Sequence, residues 1–455
     1  MQNEAKVTIH QFAISVSHGD GISNGMMLTR KLLRLAGVKS DIYCIQPSEQ
    51  MAGDVLCIDD YLPGSADALL VHHGIGNPVE SWLRDLPERK FMVFHNITPG
   101  ELFPADHVIQ PMLAHGWEQV DSWQHWLTGS IADSRQNLQE LLKRGYDEHK
   151  VTEIPLLVDL ERIEPHAVQR HDTPRPFTLL FVGRIMPHKN QLALVEAFAH
   201  LLRSAQVPLQ LYLVGGFTVA DYKDKIQARI RELGIEAFVN LTGKVDDDTL
   251  NALYCRSDLF VSLSKHEGFG MPLIEAMAHG LPVLAYDAPN SNVVHTLGNA
   301  GLLLDNAEPH EVAATIAQIM ENPALRRSMK RYGIERMDEF GYQRLYDCLS
   351  AFLGKFEIVL PHHTFPVAVP KAAVDYRIEG PFDSTYSLAL VNRELAKAIA
   401  EHGHKVALRA TEGPGPIPVD QTFLLNNPDC AALHARAEQP ANTVMRLMYP
   451  PRVTD

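Results

Sequence analysis

At 455 residues the chain is too long for one compact core and implies two to four domains. Hydrophobic residues make up 45% and charged residues 21%, which excludes a disordered or fibrous chain. A net charge of −14 excludes a general nucleic-acid binder, because phosphate contacts need a basic face.

Local basic clusters, such as Lys143–Arg144 and Arg326, Arg327, Lys330 and Arg331, read as solvated helix faces. The five cysteines are Cys44, Cys57, Cys255, Cys348 and Cys430, and none forms a C-x-x-C pair. That argues against a zinc ribbon or a disulfide framework and fits a reducing, cytoplasmic compartment. The opening MQNEAKVTIHQF has no basic stretch followed by a long apolar run, so no signal peptide is expected. No stretch reaches the roughly 18 apolar residues of a membrane span, so any membrane contact is expected to be peripheral.

Short apolar runs then alternate with helical periods. Val7–Val16 predicts a strand, Asn24–Ala36 a helix with Gly37 at its C′ position, and Ser40–Ile45 a second strand. Ala68–Val71 and Lys90–His95 predict short buried strands. Ile131 and Ala132 close another, before Asp133 and Ser134 cap a helix over Arg135–Arg144. Such alternation predicts a parallel sheet covered on both faces. Pro155–Pro176, with four prolines, reads as a linker. A fresh α/β pattern follows. It places strands at Phe177–Val182, Leu209–Val214, Val239–Thr242, Leu259–Leu263 and Pro282–Tyr286. Helices are placed at Asn190–Leu202, Lys223–Leu233, Thr249–Cys255 and Pro272–His279. This order predicts a second doubly wound domain. Beyond a proline-bearing linker at Phe365–Lys371, Asp375–Phe382 predicts a strand, Ser387–Glu401 a helix ending at Gly403, and His404–Arg409 a strand. That repeats the pattern of Val7–Ile45. The expected domains are therefore 1–165, 166–355, and an incomplete third module over 356–455.

The stretch Ser262–Val283, SLSKHEGFGMPLIEAMAHGLPV, carries most of the chemistry. Glu267 and Glu275 are separated by seven residues. Gly268 and Gly270 flank Phe269 in a turn of little bulk, and Pro272 suits the first position of a helix. A helix start presents unpaired N–H groups and partial positive charge, which suits a diphosphate, and a nearby carboxylate accepts bonds from ribose or sugar hydroxyls. Taken alone, two acids at this spacing are more often exposed groups on a capped helix. The frame around them, and a second piece at Phe181–Asn190, weigh against that. There Gly183 permits close backbone approach, while Arg184 and Lys189 place two cations at a strand's C-terminal end. Fixed cations stabilise a departing diphosphate. In the N-terminal half, His18–Ser23 forms a loop bearing Gly19 and Gly21. His72, His73 and His95 lie at strand ends facing the expected cleft, with no acidic or cysteine partner at metal-ligand spacing.

From Phe181 to Asp305 the order V-G-R…K, G-G, G-x-V, E-G-F-G-x-P-x-x-E-A-M-A-x-G-x-P-V and G-L-L resembles glycosyltransferase family 4, and a looser likeness extends over residues 5–350. The resemblance implies a GT-B fold, with two Rossmann-like domains facing across a cleft and here a partial third. It implies a retaining transferase that moves a hexose from a nucleotide-diphosphate sugar to a glycan, with no cofactor and no metal. Glu267 then resembles the acid on the transferred sugar, and Glu275 the ribose ligand. Arg184 and Lys189 resemble the diphosphate clamp, with Gly183 beside them, and the Gly268, Phe269 and Gly270 backbone part of the donor pocket. Gly19 and Gly21 are similar to the loop near the donor phosphates, and His95 to the strand-end histidine on the donor sugar. G-D-G-I-S-N, H-H-G-I-G, F-H-N-I-T-P and A-D-S-R-x-N-L are similar to modules of polymerising mannosyltransferases of bacterial O-antigen. They point to mannose, GDP-mannose, and a glycan or lipid-linked acceptor met peripherally at the cytoplasmic face of the inner membrane. Ala288–His295 departs from the family's commoner A-x-x-x-P-E. A UDP- or ADP-sugar donor, or a glycan-binding relic without activity, are the rival expectations.

Overall fold

The computed structural model describes residues 7–17, 19–103, 106–159, 175–217, 219–289, 291–365, 374–384, 387–402, 404–412, 415–416 and 419–447. They divide into two compact units: one takes the described residues up to 159 and from 175 to 365, the other those from 374 onward.

The larger unit holds two parallel sheets. The first has seven strands: β1 (Ile9–Ala13), β2 (Ile42–Cys44), β3 (Leu56–Cys57), β4 (Ala68–His73), β5 (Arg89–Phe94), β6 (Gly129–Ala132) and β7 (Val151–Glu153), in the order β3-β2-β1-β4-β5-β6-β7. The sheet order turns back on either side of β1, the arrangement that opens a crevice at the strands' C-terminal ends. The central strands are buried on both faces, as in β4, where all six residues of ALLVHH are buried. The first helix, Gly21–Leu35, starts earlier than its apolar period predicts. The Asp20 carboxylate accepts from the Ser23 amide at 3.0 Å and caps it. The first strand is shorter than Val7–Val16, since Ile14–Val16 already belong to the loop toward that helix.

The second sheet has six strands: β8 (Phe177–Val182), β9 (Leu209–Val214), β10 (Val239–Gly243), β11 (Leu259–Ser262), β12 (Val283–Tyr286) and β13 (Leu302–Leu304), in the order β10-β9-β8-β11-β12-β13. One face packs on the helices Gln191–Ser204 and Pro309–Glu321, through Phe198, Leu201, Val312 and Ile316. The other packs on the helix Met271–Ala278. Helix and strand positions agree with the sequence pattern to within a few residues.

The helix Tyr342–Gly354 follows the second sheet but packs on the first. Tyr342, Leu345, Leu349, Phe352 and Leu353 share a core with Ile9, Leu28, Leu70 and Phe91. Gly129 makes room for it: a Cβ there would stand 2.9 Å from the Phe356 ring and 3.1 Å from that of Phe352. The chain thus passes between the two sheets twice, once between β7 and β8 and once near Gly341. Residues 160–174 of the expected Pro155–Pro176 linker, and 366–371 of the Phe365–Lys371 linker, lie outside the described residues.

The smaller unit contains β14 (Val374–Glu379), β15 (Val406–Arg409), a short antiparallel pair of β16 (Thr411–Glu412) with β17 (Gly415–Pro416), and β18 (Ala441–Arg446). β14, β15 and β18 form a parallel sheet in the order β15-β14-β18, with the helix Ser387–Glu401 between the first two in sequence. The strand–helix–strand repeat read from the sequence is therefore present, although Gly403 is outside the described residues. Among the described residues, no helix is long and apolar enough to cross a membrane.

Candidate active site

In the second sheet the site grows from the ends of three neighbouring strands. β8 runs out at Gly183, and β9 at Gly215. A Cβ on Gly215 would stand 2.0 Å from the Gly183 carbonyl oxygen, so the two strand ends approach as closely as backbone permits. Arg184 follows and is exposed; among the described residues its guanidinium has no hydrogen-bond or ion-pair partner. A single turn, Pro187–Lys189, then leads through Asn190 at φ 58° into the helix Gln191–Ser204. This turn aims Lys189 at the loop after β11, where its Nζ donates to Glu267 Oε1 at 2.6 Å. Both side chains are mostly buried. Burial alone would push the Glu267 carboxyl up. The adjacent Lys189 ammonium and the hydrogen bonds from Lys189 and Ser264 outweigh it, and the group is held below its ordinary range. The same burial, with Lys189 close by, lowers His188 to about 3 and His266 to about 4. Arg184 and Lys189, not the histidines beside them, therefore supply the positive charge on this side.

Gly268–Phe269–Gly270 turns the chain from Glu267 into the helix Met271–Ala278, with Gly270 at φ 83° as N-cap. The Phe269 ring goes into the core against Phe340, so only its backbone fronts the turn; its carbonyl accepts from Thr296 Oγ1 at 2.7 Å. Glu275 sits one turn into the helix, and Tyr254 Oη donates to its Oε2 at 2.8 Å. Burial raises the Glu275 carboxyl to about 7, against the lowering effect of that bond. The ring of His279, stacked 4.7 Å from Tyr254, lies behind the tyrosine and meets Asn251 Oδ1 through Nε2 at 3.2 Å.

The first sheet supplies the facing wall. The loop of Gly19 lies under Lys244, whose Nζ is 3.3 Å from where a Cβ on Gly19 would stand. Gly21 abuts Met271 at the start of the donor-side helix. Asn96 stands so close to Gly268 that a Cβ there would lie 2.7 Å from Asn96 Cβ. The Gln136 amide donates to Asn292 Oδ1 at 3.3 Å, and the Asn292 amide donates to the Glu267 carbonyl at 3.0 Å. His95 is buried at the end of β5, with Asp133 on one ring nitrogen at 2.9 Å and His72 on the other at 2.8 Å.

The structure thus gathers Arg184, Lys189, Glu267, Gly268, Gly270 and Glu275 on one side, with Gly19, Gly21 and His95 on the other. His73 departs from the expectation that it faces the cleft. Strand alternation turns it to the opposite face of β4, where Nε2 meets the Gly116 carbonyl at 3.0 Å and the ring leans on Trp123. Asp133 departs too: Ser134 alone caps the next helix, accepting from the Asn137 amide, and Asp133 serves His95. Tyr254 and Lys244 carry no motif of their own, and sequence reading missed both. Among the described residues no group of His, Cys, Asp and Glu could hold a metal ion.

Cations at strand ends, a helix start and acids that can accept hydroxyls suit a sugar diphosphate. Residues 164–336 match the family described as Glycosyl transferases group 1. The chain is 26% identical over 281 residues to O-antigen chain mannosyltransferase B of Escherichia coli, covering 60% of this chain and 71% of that protein. It is 28% identical over 232 residues to D-inositol 3-phosphate glycosyltransferase of Corynebacterium jeikeium (strain K411), covering 48% of this chain. The chain spans only 55% of that second relative's length. In fold it is similar to Anabaena Alr3699/HepE, solved in complex with UDP and glucose, with a TM-score of 0.61 and 18% identity over 77% of this chain and 99% of that one. Residues 164–336 thus carry the pattern of the group 1 glycosyl transferases, and the chain has the GT-B fold.

Proposed function

We propose that this glycosyltransferase moves mannose from GDP-mannose to a glycan, with retention of anomeric configuration, in bacterial surface polysaccharide or O-antigen synthesis. The carrying observation is the Lys189–Glu267 pair at 2.6 Å, set three residues before a helix N-cap. Lys189 and Arg184 hold the diphosphate, helped by the N–H groups after Gly270. Glu267 accepts hydroxyls of the transferred sugar, Glu275 accepts those of the ribose, and His95 meets the sugar from the facing wall. The bond between the anomeric carbon and the diphosphate oxygen breaks, and its electrons leave with the diphosphate. The acceptor oxygen bonds that carbon from the same face and passes its proton to the leaving phosphate, so no side-chain base is needed. Mannose and O-antigen are supported by the likeness to the Escherichia coli mannosyltransferase. The acceptor is a glycan, free or lipid-linked, met peripherally at the cytoplasmic face of the inner membrane.

A UDP-sugar donor is the second reading, favoured by the UDP and glucose bound to the Anabaena protein. The test is nucleotide release from GDP-mannose against UDP- and ADP-sugars, with a mannosyl acceptor. GDP release with acceptor extension, abolished in a folded Glu267→Ala variant, is the expected result. UDP release would overturn the donor assignment. No release from any donor, with glycan binding retained, would make the chain a binding relic.

A further inference from the structure

Behind the cleft, a line of buried hydrogen bonds ends in an acceptor at both ends. Gln11 Nε2 donates to the Met26 carbonyl at 3.0 Å, which turns its Oε1 toward His72 Nε2 at 3.1 Å. His72 Nδ1 meets His95 Nε2 at 2.8 Å, and His95 Nδ1 meets Asp133 Oδ2 at 2.9 Å. The other Asp133 oxygen accepts from Asn137 Nδ2 at 2.6 Å. All four residues of the line are buried.

Three hydrogen bonds in this line need three protons. The Gln11 oxygen and an Asp133 carboxylate contribute none, and two neutral imidazoles contribute two. With both rings neutral, one bond would join two lone pairs at 2.8–3.1 Å. A third proton removes the conflict. His72 Nε2–H donates to Gln11, His95 Nε2–H donates to His72 Nδ1, and His95 Nδ1–H donates to Asp133. Asp133 already accepts from Asn137 through its other oxygen, so the line of donors and acceptors assigns the third proton to the ring. The ring that carries both protons is that of His95. His72 stays neutral, since burial and then the charge on His95 drive its ring well below the ordinary histidine range. The titratable groups near the pair are Asp133, just after β6, and His73, on the opposite face of β4, which burial lowers to about 4 and keeps neutral.

We propose that the Gln11–His72–His95–Asp133 line carries one proton beyond two neutral imidazoles, so that His95 enters the reaction as an imidazolium held by Asp133 and His72. The charge state follows from hydrogen-bond direction alone; its catalytic consequence rests on the function proposed above. His95 adjoins Asn96, which touches Gly268. The imidazolium therefore adds a cation opposite Arg184 and Lys189, and its Nε2–H is the donor that turns from His72 to an oxygen of the nucleotide sugar. Asp133 and His72 act through His95 and are positioning residues.

Asp133→Asn separates charge from geometry. The asparagine amide donates to His95 Nδ1, so all three bonds persist with two neutral rings. His72→Gln keeps the charge, its Oε1 accepting from His95 Nε2–H and its amide donating to Gln11 Oε1. The full chain, labelled with 15N only in histidine, is examined at pH 7 by ring 15N–1H correlation, with the His95 signal assigned by its loss in His95→Asn. Two protonated ring nitrogens on His95 are expected in the wild type and in folded His72→Gln, and one in folded Asp133→Asn. Neutral rings for both histidines in the wild type would overturn the proposal. With the donor found active in the screen, kcat should fall about 100-fold in Asp133→Asn while the donor KM changes little. Unchanged kcat in a folded variant that has lost the imidazolium would overturn the catalytic role. If the wild type turns over no nucleotide sugar, the function proposal fails, and the spectrum still decides the charge.

Discussion

Lys189 Nζ and Glu267 Oε1 lie 2.6 Å apart although 78 positions separate them, and each side chain is about one-seventh exposed (15% and 13%). Neither charge is comfortable there without the other. Lys189→Met would leave a carboxylate in a site built for a pair. We expect a loss of about 3 kcal/mol at pH 7, read by urea unfolding, along with loss of transfer. The Glu267 carboxyl is held below its ordinary 4.5 in the folded chain, so the unfolded chain binds more protons around that pH. The pair's contribution is present above pH 4.5 and is lost as pH falls below it. The gap between wild type and Lys189→Met should narrow across that window; a constant gap would show that the pair's charge is not what stabilises it.

Glu275 behaves oppositely. Burial raises its carboxyl from 4.5 to about 7. Between those values the folded chain holds a proton that the unfolded chain has released, so stability falls as pH rises from 4.5 to 7. The loss is at most about 3 kcal/mol, because the residue is not wholly enclosed. Glu275→Gln should remove this slope and unfold at higher urea than wild type at pH 8, while binding the nucleoside diphosphate more weakly. Parallel slopes in the two proteins would show that Glu275 titrates normally.

Gly268 marks where the two halves touch. A Cβ there would stand 2.7 Å from Asn96 Cβ. Gly268→Ala should therefore hold the halves slightly apart, raising the donor KM about ten-fold with an unfolding midpoint close to wild type. Asn96→Gly in the same chain should restore most of the affinity. Failure of the double variant to recover would place the defect within the turn itself.

Gly215 tests the backbone of the donor-side half. Its φ is 147°, and a Cβ would collide with the Gly183 carbonyl at 2.0 Å. Gly215→Ala should cost at least about 3 kcal/mol in urea unfolding, because the obstacle is backbone with no rotamer to yield. A smaller cost would mean that β8 and β9 end farther apart than described.

Much of this was legible in the sequence. β8 and β9 are apolar runs closed by glycine, and the positions of Arg184, Lys189, Glu267 and Glu275 follow from where strands end and helices begin. Local pattern carries that information. It carries less about partners far apart in the chain: nothing in two strand-end histidines says that one meets Gln11 and the other Asp133, and Asp133 reads equally well as a helix cap. The helix Tyr342–Gly354 has an apolar face that would suit either sheet, so its return to the first could not be read from periodicity. Tyr254 looks like any aromatic on a short helix until Glu275 is found beneath it.

That returning helix constrains how the molecule can move. Two bodies joined by one strand of polypeptide can tumble freely; joined at two separate points, they keep only the swing about the line through those points. Here the points are the passage after β7 and the passage at Gly341. Tyr342 Oη, bonded to Asp159 at 3.1 Å, ties the two passages to each other. For a donor bound as proposed above, those two tied crossings limit how the two sheets can part to admit it.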